Sequence, residues 1–279
     1  MKDLYITLSL FLLWIFPFQK INATAQAPEK IIINGDTIDM FSCPLEYLPN
    51  KEYKELEKML DKEHSSTGLW RAYIGTWKIE DGQLYLLKVE DENKEINVNH
   101  LLHKYNTPNG IKASWFSGEI KCIRGKNILY IHMGFGSIYE FETVYTIKKG
   151  KIISSKEYHN EFKWCTNPDR PSEDLAIFLN KYINRDMIPN YQKDKKIFLF
   201  LDLIPDENGK LKRFDYRLIV RPDCDEKNKM NSPFAKELKR CLLLMEHLPT
   251  LIFEDKAQPI RYVMPLNGNY FNDVDNIKK

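Results

Sequence analysis

Ile197-Phe-Leu-Phe-Leu-Asp-Leu-Ile204, Pro205-Asp-Glu-Asn-Gly209, the segment Lys210 to Arg221, Ser232-Pro233 and Arg261-Tyr-Val-Met-Pro-Leu266 follow one another within residues 195–269. The first is an apolar run that predicts a buried strand, and the second is a turn. Lys210 to Arg221 alternates Leu211, Phe214, Tyr216, Leu218 and Val220 with mostly charged neighbours, the pattern of a strand with one wet face. Ser232 and Pro233 have the chemistry of an N-cap and a first helical residue, so Phe234 to His247 is predicted helical. Arg261 to Leu266 closes the unit as a strand.

Upstream, Thr166-Asn-Pro-Asp-Arg-Pro171 interrupts the pattern and marks a domain boundary. Ser172 is then expected to cap a helix running to about Asn184, with Leu175, Phe178, Leu179, Tyr182 and Ile183 on its apolar side. Ile188-Pro189-Asn190-Tyr191 leads into the first strand, Leu248-Pro249-Thr-Leu-Ile-Phe253 follows the second helix, and Gln258-Pro259 precedes the last strand. In this order the pieces resemble the C-terminal domain of TonB-type energy transducers, over about residues 172–270. A tryptophan of that family is missing; Leu251 stands near its place.

The resemblance implies a mode of contact. In that family the last strand lies at a sheet edge, where an extended partner segment adds as a further strand. Here the matching edge is Arg261, Tyr262, Val263 and Met264. The competing reading is that this strand is covered by its own chain, since natural proteins protect bare edges. Energy transduction itself is disfavoured, because a folded β region occupies the place of the long extended segment a transducer needs.

The 279 residues suffice for two modest domains, and the 43% hydrophobic and 29% charged fractions are those of globular proteins. Net charge is +2, with 20 Lys and Arg against 21 Asp and Glu in residues 26–171 and 19 against 17 in 172–279. Neither half carries a field that would favour nucleic acid. Residues 1–25 read as a secretory signal: Lys2, the apolar stretch Leu4 to Phe18, then Ala23-Thr-Ala25 before cleavage. An uncleaved anchor is the competing reading, although the stretch falls short of a spanning helix and is interrupted by Thr7, Ser9 and Pro17. The five cysteines are an odd number with no C-x-x-C. Cys224 and Cys241 are one candidate bridge; the alternative is that Cys241 is a buried free thiol.

Residues 26–168 read as an antiparallel β domain with one helix. Ile31-Ile-Ile33 is a strand followed by the Asn34-Gly35-Asp36 turn, and Lys51 to Glu63 is an amphipathic helix. Three hairpins are predicted: Leu69–Ile79 with Leu84–Val89, Ala113–Ile123 with Asn127–Met133 across Arg124-Gly125-Lys126, and Tyr139–Lys148 with Lys151–Tyr158. Successive hairpins favour a meander or a barrel-like sheet. The stretches Trp70–Ile79 and Gly134–Tyr139 resemble exported bacterial β domains without a characterised activity.

Candidate chemistry is sparse. Trp70, Trp77 and Trp115 are the aromatics that a sugar or peptide would stack on, although such residues more often fill a sheet interior. His100, His103, His132 and His159, with Glu140 and Glu142, are the metal candidates of a hydrolase, without an H-E-x-x-H frame. Arg71, amid apolar neighbours, points outward or pairs with a carboxylate, Glu119 or Glu140 being candidates. The expectation is therefore an α+β protein: an antiparallel meander or barrel-like domain, then a TonB-like α-β-β-α-β domain. The expected function is non-enzymatic binding of an envelope protein or extended peptide segment in the periplasm or outside the cell. The alternatives are carbohydrate binding by the aromatic domain and, behind it, metal-dependent hydrolysis. No cofactor, nucleic-acid partner or stable membrane span after signal cleavage is expected.

Overall fold

The computed structural model describes residues 25–60, 66–92, 94–132, 134–192, 194–222 and 224–266. The expected signal segment, apart from its last residue Ala25, and the polar terminus Asn272–Lys279 lie outside the described residues. Among the described residues no helix is long and apolar enough to cross a membrane.

The first part of the chain supplies β1 (Glu29–Ile33), β2 (Asp36–Met40), α1 (Asn50–Met59), β3 (Ile74–Glu80), β4 (Gln83–Glu90), β5 (Glu95–Ile96), β6 (Asn106–Thr107), β7 (Gly110–Lys112), β8 (Gly118–Leu129), β9 (Ile138–Lys148) and β10 (Lys151–His159). Seven of them close into a barrel in the order β10-β9-β8-β2-β1-β3-β4, with β10 returning to β4 through Lys151 and Gln83. All neighbours are antiparallel except β1 and β3. The closure rests on the tight Lys149-Gly150 turn: Leu84 N–H donates to Gly150 O (2.8 Å) and Ile152 N–H to Gly82 O (2.8 Å). Gly150 has φ +77°, and a Cβ there would stand 2.7 Å from Ala113 O, so both conformation and space call for glycine.

Alternation along the strands sends Ile31, Trp77, Leu84, Leu86, Ile120 and Ile147 inward, where they form one buried cluster. Leu45, Leu48 and Leu56, from the short turn Pro44–Tyr47 and from α1, join it.

The second part comprises β11 (Glu161–Lys163), α2 (Pro171–Tyr182), β12 (Lys196–Pro205), β13 (Leu211–Arg221), β14 (Cys224–Lys227), α3 (Pro233–Leu244), β15 (Thr250–Phe253), β16 (Lys256–Gln258) and β17 (Ile260–Pro265). β14-β13-β12-β17 is an antiparallel sheet, and α2 and α3 cover one of its faces. Ile197, Leu199, Leu201 and Leu203 meet Phe214, Tyr216, Leu218 and Val220 on that face, under Leu175 and Leu179 of α2 and Leu238 and Cys241 of α3. Ser232 caps α3, its Oγ accepting from Ala235 N–H (3.1 Å) while donating to Glu226 (2.7 Å). A third, small sheet β11-β15-β16 joins the two parts, because β11 follows the barrel and β15 follows α3. The fold is mixed α+β.

Several expectations need correcting. Residues 113–133 do not form a hairpin; β8 runs straight through Arg124-Gly125-Lys126, and Gly125 marks a bulge where its register against β9 shifts. Residues 67–72 form a turn instead of the start of a strand. Ser172 does not cap α2: Arg170 holds the N-cap position without a side-chain bond, and Pro171 starts the helix. The Ile197–Ile204 run is buried on one face only; Phe198, Phe200 and Ile204 are half-buried on the other. β14 and β16 complete pairings where the residue pattern predicts loop. None of the five cysteines is in a disulfide, so the Cys224–Cys241 bridge does not form, and Cys241 is buried in the helix–sheet interface.

Candidate functional site

β17 is an edge strand, paired with β12 alone. Its register fixes which groups face outward. Leu266 N–H donates to Ile197 O directly opposite (3.1 Å), so this is a hydrogen-bonded pair. Alternation then turns the amides and carbonyls of Met264, Tyr262 and Ile260 toward β12, and those of Pro265, Val263 and Arg261 away from it. Pro265 suits its position, having no N–H to leave bare, and its carbonyl accepts from Asn180 Nδ2 of α2 (3.0 Å). The N–H and C=O of Arg261 and Val263 have no such partner among the described residues.

A groove of about 280 Å³ lies along this edge, between Ile260–Val263 on one side and Ile128, Leu129, Phe162 and Pro168 on the other. It adjoins a second hollow of about 300 Å³, which shares Ile128, Phe162 and Pro168 and ends among Lys126, Glu140 and His159. The rim loop is fixed by Asn167, whose side chain accepts from Asp169 N–H (3.1 Å) and whose carbonyl accepts from Arg170 N–H (3.0 Å). On the sheet face that the helices leave open, Arg261 forms a bidentate pair with Asp202 (2.6 and 2.7 Å), and Val263 is half exposed beside the half-buried Phe200. The arrangement offers backbone donors and acceptors at strand spacing, with apolar surface beside them.

The Trp70, Trp77, Trp115 platform does not form. Trp77 lies wholly in the barrel core, Trp115 is half-buried with its Nε1 donating to Pro44 O (3.0 Å), and of the three only Trp70 is open to solvent. Burial of large apolar area outweighs display here. His100 and His103 are neighbours in a turn, with ring centroids 6.2 Å apart, and no group of three or more potential ligands gathers among the described residues. Glu142 is buried and paired with Lys121 (2.9 Å), while Glu140 accepts from Lys126 N–H (3.3 Å), so the two carboxylates do not act together.

Arg71 is buried, and its carboxylate is Glu29, not Glu119 or Glu140. Arg71 Nε lies 3.6 Å from Glu29 Oε1, Nη2 donates to Ala27 O (2.8 Å), and the guanidinium stacks over Tyr73 and Phe135. The Trp77 indole donates to the other carboxylate oxygen. Gly75 makes room: a Cβ would stand 2.6 Å from Glu29 Oε2 and 2.7 Å from Trp77 Nε1. Burial outweighs Arg71 and the indole and pushes the Glu29 carboxyl up to about 8; burial beside Glu29 likewise raises the Cys43 thiol to about 12. Perturbed acid, thiol and phenol groups resemble an active site. Glu29, Arg71 and Tyr73 are nonetheless buried, and Tyr73 and Trp77 belong to the barrel's core cluster. Sequence reasoning missed Glu29 because it stands at the start of a strand beside Lys30, where charge reads as a wet face.

No family model, no curated protein and no solved structure matches this chain.

Proposed function

We propose that this is a non-enzymatic, exported envelope protein that binds an extended peptide segment by strand addition at Arg261–Met264. One observation carries the reading: β17 is an edge strand whose Arg261 and Val263 amides and carbonyls face a groove. The order α2-β12-β13-α3-β17 agrees with the unit expected of a TonB-like domain, interrupted by β14 and by the β15–β16 ribbon. An incoming strand would set alternate side chains beside Val263 and Phe200 on the open face and turn the others toward Ile128 and Phe162. Its chemistry is therefore a run of β-branched or other apolar residues without proline.

Val263→Pro tests this. It removes an outward N–H while leaving the β12 ladder its bonds. Labelled six-residue peptides with β-branched residues at alternate positions should bind the native chain, and V263P should lose about tenfold in affinity with its circular dichroism unchanged. Lys51→Ala, exposed on α1 and outside the groove's lining, should bind as the native chain does. Equal binding by V263P, or no binding by any peptide of the panel, overturns the reading.

A further inference from the structure

Buried Phe234, Ala235, Leu238, Cys241 and Leu242 turn one side of α3 to the sheet. The opposite side carries Lys236, Lys239, Arg240, Leu243 and Leu244 at helical three-and-four spacing, so cations and leucines alternate across one stripe. Leu243 is 61% and Leu244 55% exposed. α2 adds Ile177, Lys181 and Tyr182, all exposed, with the Lys181 ammonium over the Tyr182 ring (5.1 Å). Arg240 ties the helices by donating to Tyr182 O (2.9 Å). A shallow basin of about 400 Å³ beside Met187, Lys236 and Arg240 lies on the same face.

The acidic groups here are accounted for. Glu237 is held by Arg240 and by Asn184 N–H (2.7 Å), which pulls its carboxyl down to about 2. Asp186 and Glu246 lie at the borders. Among the described residues Lys181, Lys236 and Lys239 form no ion pair with a carboxylate. Two adjacent exposed leucines are costly to leave in water without a use. Leucines interleaved with unpaired lysines match a surface that is apolar just below an anionic layer.

We propose that this face rests on an anionic lipid bilayer, Leu243, Leu244 and Tyr182 entering the headgroup boundary and Lys181, Lys236 and Lys239 meeting lipid phosphates. The proposal is independent of the peptide groove, which β17 builds on another part of the molecule.

The test uses the full chain with vesicles of phosphatidylcholine alone or with phosphatidylglycerol, reading cosedimentation and lysine acylation together. On anionic vesicles Lys236 and Lys239 should acylate about threefold more slowly, with Lys212 and Lys227 unchanged, and salt should reverse the effect. Leu243→Gln with Leu244→Gln should abolish this protection, and Lys236→Gln with Lys239→Gln should weaken vesicle binding by about fivefold per charge. Sedimentation with Lys236 and Lys239 unprotected overturns the proposal, because another segment then makes the attachment. So does an absence of sedimentation, equal protection on neutral vesicles, or protection without lipid that tracks dimer formation by light scattering.

Discussion

Replacing Glu29 by glutamine isolates the barrel's sealed ion pair. The native carboxyl titrates from its ordinary 4.5 up to about 8 in the folded chain, so between those values the folded protein holds a proton that the unfolded chain has released. Stability is therefore full below the unfolded value and falls as pH rises through the folded one. Integrated from pH 5 to pH 8, the shift corresponds to about 3–4 kcal/mol lost. Arg71, Tyr73, Cys43, Glu46 and Trp77 face the carboxyl; of these, burial keeps the Cys43 thiol, raised to about 12, and the Tyr73 phenol protonated across this window. Glu46 is raised as well, by burial, but it is present in native and variant alike, so the difference between the two chains isolates Glu29. The amide introduced by Glu29→Gln is nearly isosteric with the protonated acid and keeps an acceptor for the Trp77 indole. Urea unfolding of both proteins at half-unit pH steps should give curves that agree within about 1 kcal/mol near pH 5 and separate by about 3 kcal/mol near pH 8, the variant being the more stable. A native-minus-variant difference that stays constant across the window, or that grows in the native chain's favour, refutes the reasoning.

Gly75→Ala should destabilise by about 3 kcal/mol, since the added methyl meets a sealed carboxylate and an indole edge with nowhere to move; thermal melts in parallel with the native chain check it. Ser232→Ala should cost about 2 kcal/mol in denaturant unfolding, because it removes the cap of α3 and leaves the buried Glu226 with Tyr216 as its remaining close donor.

Local chemistry made much of the second part legible. The Ser232 cap, the Asn208-Gly209 turn and the alternation of Lys210–Arg221 are each decided by neighbours within a few residues; the edge position of Arg261–Met264 has no local signal and is implied only by the resemblance, with a covered strand as its alternative. The first part is less legible wherever distant contacts rule. Arg124-Gly125-Lys126 looks like a hairpin turn in isolation, but β9 offers β8 a continuous ladder, and a bulge absorbs the glycine. Glu29 and Arg71 are 42 positions apart, so neither residue's neighbours announce the pair. Trp77 reads as a ligand platform or as interior because aromatics serve display and core alike; barrel closure decides for the core. The α3 surface stripe is visible as Lys236 to Leu244, yet the direction of its leucines depends on which side the sheet takes.

The pairing of Glu161–Lys163 with Thr250–Phe253 also sets an order of events. During synthesis the barrel's last strand ends at His159, so that closed body can assemble while roughly a hundred residues are still to come. β11 must then wait for a mate about ninety positions downstream, and β17 is the last of the described strands to arrive. A chain cut short between residues 160 and 250 would retain every barrel strand and lack β17, so the peptide contact proposed above would have no edge to form on.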